Sequence, residues 1–303
     1  MTTAELAPLR AATRARALVQ VLRPHQWVKN LLVFVPVVLD HKLFHPETMA
    51  RAATAFAAFC CAASSAYVLN DLLDREADGR HPTKRQRPFA AGTLSPLVAL
   101  VLIPGLLAIA LAAALTLPSG FQELLGIYVV LTAAYSVHLK LVAVLDVLLL
   151  AGLYTLRVLA GIAAAEVRFS TWLLAFSMFL FLSLAFVKRY NEVAALSGDA
   201  AEPVRRRGYV RGDREWLGSM GAASGYLSVL VLALYINSDQ VMALYRQPLL
   251  LWLICPILLF WISRTWLLAG RGLAHDDPLV ATVRDPVSYL LGALVALVLY
   301  LAV

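Results

Sequence analysis

Residues 64–96 read SSAYVLNDLLDREADGRHPTKRQRPFAAGTLSP, and the fold is decided by how this stretch changes character. An apolar run gives way to Asn70-Asp71-Leu72-Leu73-Asp74-Arg75-Glu76-Ala77-Asp78, and then to the basic run Lys84-Arg85-Gln86-Arg87 closed by Pro88. Asp71, Asp74 and Asp78 stand at i, i+3 and i+7, a spacing that predicts one shared helical face with Asn70 beside them. Carboxylates this close repel one another, so a cation must compensate them. Hard oxygen donors in this number suit Mg²⁺, which keeps several waters and is completed by phosphate oxygens. The plain alternative is a solvated helix end neutralised by Arg75 and Arg80. Placement at the edge of an apolar segment, where carboxylates are costly, argues against it.

Outward from this stretch the chain is apolar. Of 303 residues 61% are hydrophobic and only 15% charged, with a mean hydropathy of +0.75. Soluble domains are about 45–50% apolar, so the excess has to face lipid. Nine segments are apolar and long enough to read as membrane-crossing helices: about 30–46, 48–70, 96–117, 121–138, 142–165, 170–189, 216–237, 247–268 and 286–303. The first is short and interrupted by Pro36 and Asp40. The expected fold is an all-α integral membrane protein, a bundle of about nine transmembrane helices with a cytoplasmic cap of loops. Residues 1–29 are expected to form a cytoplasmic N-terminal arm, and residues 30–303 a single transmembrane domain. No cleavable leader is legible in residues 1–29, which carry five cations.

Charge sets the orientation. With the amino terminus inside, twenty-one Lys and Arg fall on the cytoplasmic side. Only Lys42, Arg51, Arg168 and Arg246 fall on the other, and Arg157 lies within a helix. The positive-inside bias accounts for the net charge of +7 without nucleic acid. The expectation is a multi-pass protein of the inner membrane, with a cytoplasmic active face and an external carboxyl terminus. Cys60, Cys61 and Cys255 lie in apolar segments and read as small packing residues. His41 and His45 fall on the external side as an interfacial pair. Trp27, Trp172, Trp216 and Tyr245 read as interface anchors.

Acids followed by a basic run suggest metal-bridged phosphate recognition, with Lys and Arg taking the oxygens the metal does not. Lys84, Arg85 and Arg87 are the nearest candidates. Arg157, mid-helix and three residues after Tyr154, needs a partner, for which Asp146, Glu166 or a substrate phosphate are the options. His275-Asp276-Asp277-Pro278 with Asp285 forms a further acidic patch, either a gate or a solvated loop.

The stretch 64–96 resembles the first aspartate-rich motif of the UbiA superfamily of intramembrane prenyltransferases, and the helix count fits along nearly the whole chain. The resemblance implies a Mg²⁺-dependent site on a helical ring. It implies metal ligation by Asn70, Asp71, Asp74 and Asp78. Typical members carry a second aspartate pair after the sixth helix, where this chain has Val187-Lys188-Arg189-Tyr190-Asn191-Glu192.

That departure, with Leu22-Arg23-Pro24-His25-Gln26-Trp27-Val28-Lys29-Asn30, Tyr135-Ser136-Val137-His138-Leu139-Lys140 and Tyr154-x-x-Arg157, is similar to the decaprenyl-phosphate phosphoribosyltransferase branch. The branch implies a polyprenyl phosphate acceptor and phosphoribosyl pyrophosphate as donor. It also implies Asp71, Asp74, Asp78 and Glu192 as catalytic residues. Arg23, Lys29, Asn70, Lys84, Arg85, Arg87, Tyr135, Lys140, Tyr154, Arg157, Lys188 and Arg189 would then contact substrate. Prenyl transfer to an aromatic or other small acceptor is the rival reading. A non-enzymatic transporter is a lesser one, because no inverted repeat or paired broken helices are legible.

Overall fold

The computed structural model describes residues 14–80, 84–195, 208–273 and 277–303. It is built of helices: α1 Pro46–Leu73, α2 Pro96–Ala114, α3 Ser119–Val137, α4 Leu145–Ala165, α5 Thr171–Ala194, α6 Arg214–Ile236, α7 Ile254–Gly270 and α8 Pro286–Ala302. Among the described residues seven segments, α1 to α5 and the stretches Arg211–Ile236 and Pro248–Gly270, are long and apolar enough to cross a membrane. Helix α8 is apolar but shorter, at 17 residues.

The interrupted first segment takes another form. Pro24 and Pro36 frame a 3-10 helix, Pro24–Phe34, which passes into the short α-helix Val35–Leu39. A 3-10 helix rises ~2.0 Å per residue against ~1.5 Å for an α-helix, so these two pieces reach about 30 Å, the thickness of the hydrocarbon core.

Sequence chemistry also sets the other boundaries. Ser95 caps α2 through Leu97 N–H with Pro96 next in line, and Ser170 caps α5 through Leu173 N–H. Helix α5 runs to Ala194, five residues past the expected end. Lys188 to Glu192 are therefore helical and not part of a loop. Arg189 and Glu192 sit three apart on one face and form an ion pair.

The chain divides into two compact units, residues 1–139 with 159–167, and residues 140–158 with 168–303. In the first, α1 packs against α2, α3 and the 3-10 helix. Its buried face is small: Ala52, Ala55, Ala58, Ala62, Ala63, Ser64 and Ser65. Between helices in lipid, such residues allow close van der Waals packing. Phe59 anchors the contact, with ring centroids 4.9 Å from Tyr128 and 5.9 Å from Phe121. Residues 14–22 are helical, and Ala17 and Val21 are buried with Val68, Phe89, Leu94 and Ala99. Ala17 and Val21 thus tie the described part of the amino-terminal arm to this unit's core.

In the second unit α5 and α6 pack along their length and α7 lies against α6. Trp266 and Phe186 crowd Gly221, and Ser183 receives the Trp266 indole N–H at 3.0 Å while donating to Gly221 C=O at 2.7 Å. Burial separates lipid-facing from interior helices. The apolar window of α4 is 67% buried and that of α2 only 17%, with α2 the more hydrophobic at a mean hydropathy of 2.7.

One glycine decides how closely two segments meet in the first unit. A Cβ at Gly161 would lie 2.1 Å from the Val33 carbonyl oxygen, so the 3-10 helix rests on bare backbone of α4. Gly161→Ala is expected to destabilise the protein by about 1–3 kcal/mol or more. Gly152→Ala in the same helix, with nothing within 4 Å, is expected to be neutral or mildly stabilising. Thermal unfolding in detergent compares them; equal midpoints would show that this contact is not close.

Candidate functional site

Helix α1 ends at Leu73, and Asp74 (φ −91°, ψ 2°) joins it to the short helix Arg75–Gly79. The single regular face expected for the acids is interrupted at its middle member. The outer two converge instead. Asp71 and Asp78 are 2% and 6% exposed. Both approach one nitrogen of Arg87, Asp71 Oδ1 at 3.0 Å and Asp78 Oδ2 at 2.7 Å. A buried carboxylate needs a charged partner or strong donors, and here a single guanidinium fills the position between two of them. Asn70 and Asp74 are half-buried and engaged with neighbours.

Asp71 is also held from the other side. Arg23 donates to Asp71 Oδ1 at 2.5 Å and lies 5.3 Å over the Tyr67 ring. Its backbone is left-handed (φ 52°, ψ 58°), which a non-glycine residue adopts only where its surroundings enforce it. The enforcement is local. Trp27 Nε1–H donates to Ser64 at 3.0 Å, and Ser64 in turn donates to Leu22 C=O at 2.8 Å. Trp27, read from sequence as an interface anchor, pins the turn that aims Arg23. Lys29 and Asn30 follow as buried residues, with Asn30 donating to Cys60 Sγ at 3.3 Å.

Two carboxylates directed at one cation position, with Arg23 alongside, are a fitting set for Mg²⁺. That ion commonly takes only one or two carboxylates and completes its shell with water and substrate phosphate. Among the described residues, no three His, Cys, Asp or Glu side chains are grouped as a protein-only metal cage requires. Lys84 and Arg85 are exposed in a one-turn 3-10 helix just before Arg87. A cavity of about 430 Å³ lies against the run, lined by Arg75, Glu76 and Gly79 on one side and Phe89, Leu94 and Ser95 on the other.

The second unit holds a different constellation. Asp146 and Arg189 are 0% and 1% exposed and form an ion pair. Arg189 also pairs with Glu192, whose side chain is 30% exposed. Tyr209 donates its hydroxyl to Asp146 at 2.7 Å and accepts from Val144 N–H at 2.8 Å. Val144, β-branched, is itself left-handed (φ 68°). Burial, reinforced by the hydrogen bond to Asp146, pushes the Tyr209 phenol well above its ordinary pKa, so it stays a donor. Arg189, expected at the substrate, is a buried strut between two carboxylates.

Other expected residues are placed as follows. Arg157 is buried, donates to Leu153 C=O at 2.5 Å and lies 5.7 Å from the Tyr154 ring centroid. The carboxylates proposed for it serve other cations, Asp146 pairing with Arg189 and Glu166 with Arg51. Tyr154 packs on Phe181, Tyr135 is half-buried near the end of α3, and Lys140 is buried. Lys188 faces Asp277 at 4.0 Å.

The last acidic patch has a structural use. Asp285 clasps Arg264 through both oxygens (2.7 and 3.0 Å) and caps α8 through Ser288. Burial raises its carboxyl, but the hydrogen bonds from Ser288 and Arg264 outweigh that and hold it below the ordinary range. His81, His275 and Asp276 lie outside the described residues. Sequence reasoning missed Tyr209, and offered Asp146 only as one of three options for Arg157, whereas it pairs with Arg189. The only signal was the cost of an acid inside an apolar segment.

Residues 36–281 match the model of the UbiA prenyltransferase family. Among similar proteins is an uncharacterized Sinorhizobium fredii protein, y4nM, 37% identical over 91% of this chain and 54% of its own length. The nodulation protein NoeC of Azorhizobium caulinodans is 37% identical over 87% of this chain and 85% of its own. The decaprenyl-phosphate phosphoribosyltransferase of Mycolicibacterium smegmatis is 39% identical over 58% and 57% respectively. This chain therefore spans only a little over half the length of the first of these relatives, and the match to the third covers 57% of that protein. A UbiA homolog from Archaeoglobus fulgidus bound to GPP and Mg²⁺ superposes with a TM-score of 0.69 at 17% identity, over 94% of this chain and 99% of that one. The apolar helices, the acidic run at the end of α1 and the match over most of the chain lead to one conclusion: the protein is a multi-pass membrane transferase that belongs to the UbiA prenyltransferase family.

Proposed function

We propose that the protein transfers a 5-phosphoribosyl group from phosphoribosyl pyrophosphate to a polyprenyl phosphate, releasing diphosphate. The observation that carries this reading is the second motif. Where a prenyl-diphosphate site would keep carboxylates available for metal, Asp146 and Glu192 both pair with Arg189. The similarity to decaprenyl-phosphate phosphoribosyltransferases supports the same donor. Residues 30–303 are taken as the catalytic domain, with the arm 1–29 supplying Arg23 and Lys29. The site is taken to face the cytoplasm, where a soluble sugar diphosphate is available.

The residues divide the work by charge. Mg²⁺, held by Asp71 and Asp78 with Asn70 and Asp74 close in sequence, would supply Lewis-acid stabilisation of the leaving diphosphate. Arg87 and Arg23 neutralise the two carboxylates and donate to phosphate oxygens. Lys84 and Arg85 extend that cationic face. Lys29, Lys140 and Lys188 are assigned to the remaining anionic groups, the 5-phosphate and the lipid phosphate, and Tyr135, Tyr154 and Arg157 are kept as candidate substrate contacts. In the reaction the C1–O bond to pyrophosphate breaks, and an oxygen of the lipid phosphate forms the new bond to C1. That oxygen is already ionised, so no residue must remove a proton. Preorganised cations, not a general base, do most of the work.

Purified protein with Mg²⁺, polyprenyl phosphate and radiolabelled phosphoribosyl pyrophosphate is expected to label the lipid. A parallel reaction with labelled prenyl diphosphate and an aromatic acceptor is expected to give no product. The opposite pattern would replace this reading by prenyl transfer.

A further inference from the structure

One carboxylate joins the end of α7 to the start of α8. Asp285 accepts from both terminal nitrogens of Arg264, at 2.7 and 3.0 Å, and from the Ser288 hydroxyl at 2.7 Å. Trp261 Nε1–H donates to the same Ser288 hydroxyl at 3.1 Å, so the two helices are tied twice. Beside this clasp lies a cavity of about 270 Å³, lined by Arg264, Thr265 and Leu268 of α7, by Arg284, and by Pro286 and Ser288 of α8. All of these residues belong to one compact unit.

The polar groups around the cavity are unequally engaged. Thr265 and Thr282 turn their hydroxyls to carbonyls of their own helices, Trp261 C=O and Pro278 C=O, both at 2.8 Å. Arg264 gives Asp285 only two of the five donors of a guanidinium. Arg284 is exposed at the rim, and among the described residues no hydrogen bond or ion pair holds its side chain. Two guanidiniums against one carboxylate leave the lining net positive.

The flanking surface is apolar. Phe260 of α7 and Leu290, Leu294 and Leu297 of α8 are each more than a third exposed. Ser288 and Gly292 stand four apart on one face of α8, and a Cβ at Gly292 would meet nothing within 4 Å. An unpaired guanidinium where two apolar helices give way to polar chain matches a phospholipid phosphate, since basic pockets between transmembrane helices take anionic head groups. The cavity has room for a phosphate and its glycerol, and the open strip past Ser288 and Gly292 takes acyl chain.

We propose that the cavity between α7 and α8 binds the phosphate of an anionic phospholipid, with Arg284 as its principal donor and Arg264, held by Asp285, as the second. A zwitterionic lipid offers the same phosphate but adds a cation, which the net positive lining disfavours.

The test titrates detergent-purified protein with phosphatidylglycerol and with phosphatidylcholine of the same acyl chains, counting bound lipid by native mass spectrometry. One cation beside an anionic head group contributes a factor of about five, so phosphatidylglycerol is expected to bind about fivefold more tightly. Arg284→Gln is expected to remove most of that preference, and Arg284→Lys to keep the larger part. Arg271→Gln, which removes an exposed cation just past α7 but outside the cavity lining, is expected to leave it unchanged. Equal losses in Arg271→Gln and Arg284→Gln would reduce the effect to general surface charge and overturn the site. Equal binding of the two lipids by the wild type would overturn it as well. Displacement of phosphatidylglycerol by inorganic phosphate at equal concentration would give the cavity to a soluble anion and overturn the lipid assignment. Binding is read directly, so these outcomes do not depend on which group the protein transfers.

Discussion

Asp71→Asn is expected to lower the transfer rate by about a hundredfold to a thousandfold while leaving the protein folded in detergent. The substitution is nearly isosteric, so the small-residue packing of α1 is untouched. What changes is charge at the point where Arg23 and Arg87 meet. Asp71 is the more buried of the two carboxylates that share Arg87, and it alone also receives Arg23. Its loss removes a hard anionic ligand, takes the carboxylate from Arg23 and leaves Arg87 held by Asp78. Transfer rate against Mg²⁺ concentration, with gel filtration as a folding control, reads the effect. A variant within tenfold of the wild type at saturating Mg²⁺ would sink the assignment of this cluster.

Asp146→Ala is expected to be the most destabilising single change in the second unit. Removing one member of a buried ion pair strands its partner, at a cost of about 3–5 kcal/mol. Arg189 would keep only Glu192 as a carboxylate partner in the network, and Tyr209 would lose its acceptor. The pair formed by Arg51 and Glu166 is a useful contrast, because their side chains are 33% and 60% exposed. Glu166→Ala is expected to leave the thermal midpoint almost unchanged. Two ion pairs of the same chemistry should thus differ severalfold in their effect on the thermal midpoint. Equal shifts would mean that Asp146 and Arg189 are hydrated in solution.

Much of this was legible from sequence because lipid imposes a simple rule. A segment apolar over about twenty residues must be helical, and the helices around 48–70, 121–138 and 216–237 are found within a few residues of where hydropathy puts them. The departures each have a local cause. Pro36 and a stretched 3-10 backbone replaced the first expected helix, since hydropathy reports length in residues and not rise per residue. The expected helix 170–189 stops short of Glu192 because charge usually marks a segment's end, whereas an i, i+3 ion pair carries α5 on to Ala194.

At the site, the acidic run was visible because its members are close in sequence. Its geometry was not, since the distortion at Asp74 depends on how the helix meets its neighbours. Arg87, expected to face phosphate, also bridges Asp71 and Asp78, a pairing that spacing along the chain does not reveal. Asp146 and Tyr209 lie 63 residues apart. No periodicity links them, and only the packed unit brings them together.

The central claim, that a lipid phosphate attacks C1 of an activated ribose, is tested most directly by isotope. Polyprenyl phosphate carrying ¹⁸O in its phosphate would be reacted with unlabelled phosphoribosyl pyrophosphate and Mg²⁺, and both products weighed by mass spectrometry. The account predicts a lipid heavier by one phosphoribosyl group that retains all of its ¹⁸O, with unlabelled pyrophosphate released. A lipid recovered unchanged, or ¹⁸O released as inorganic phosphate while the isoprenoid chain moves to an acceptor, would contradict it.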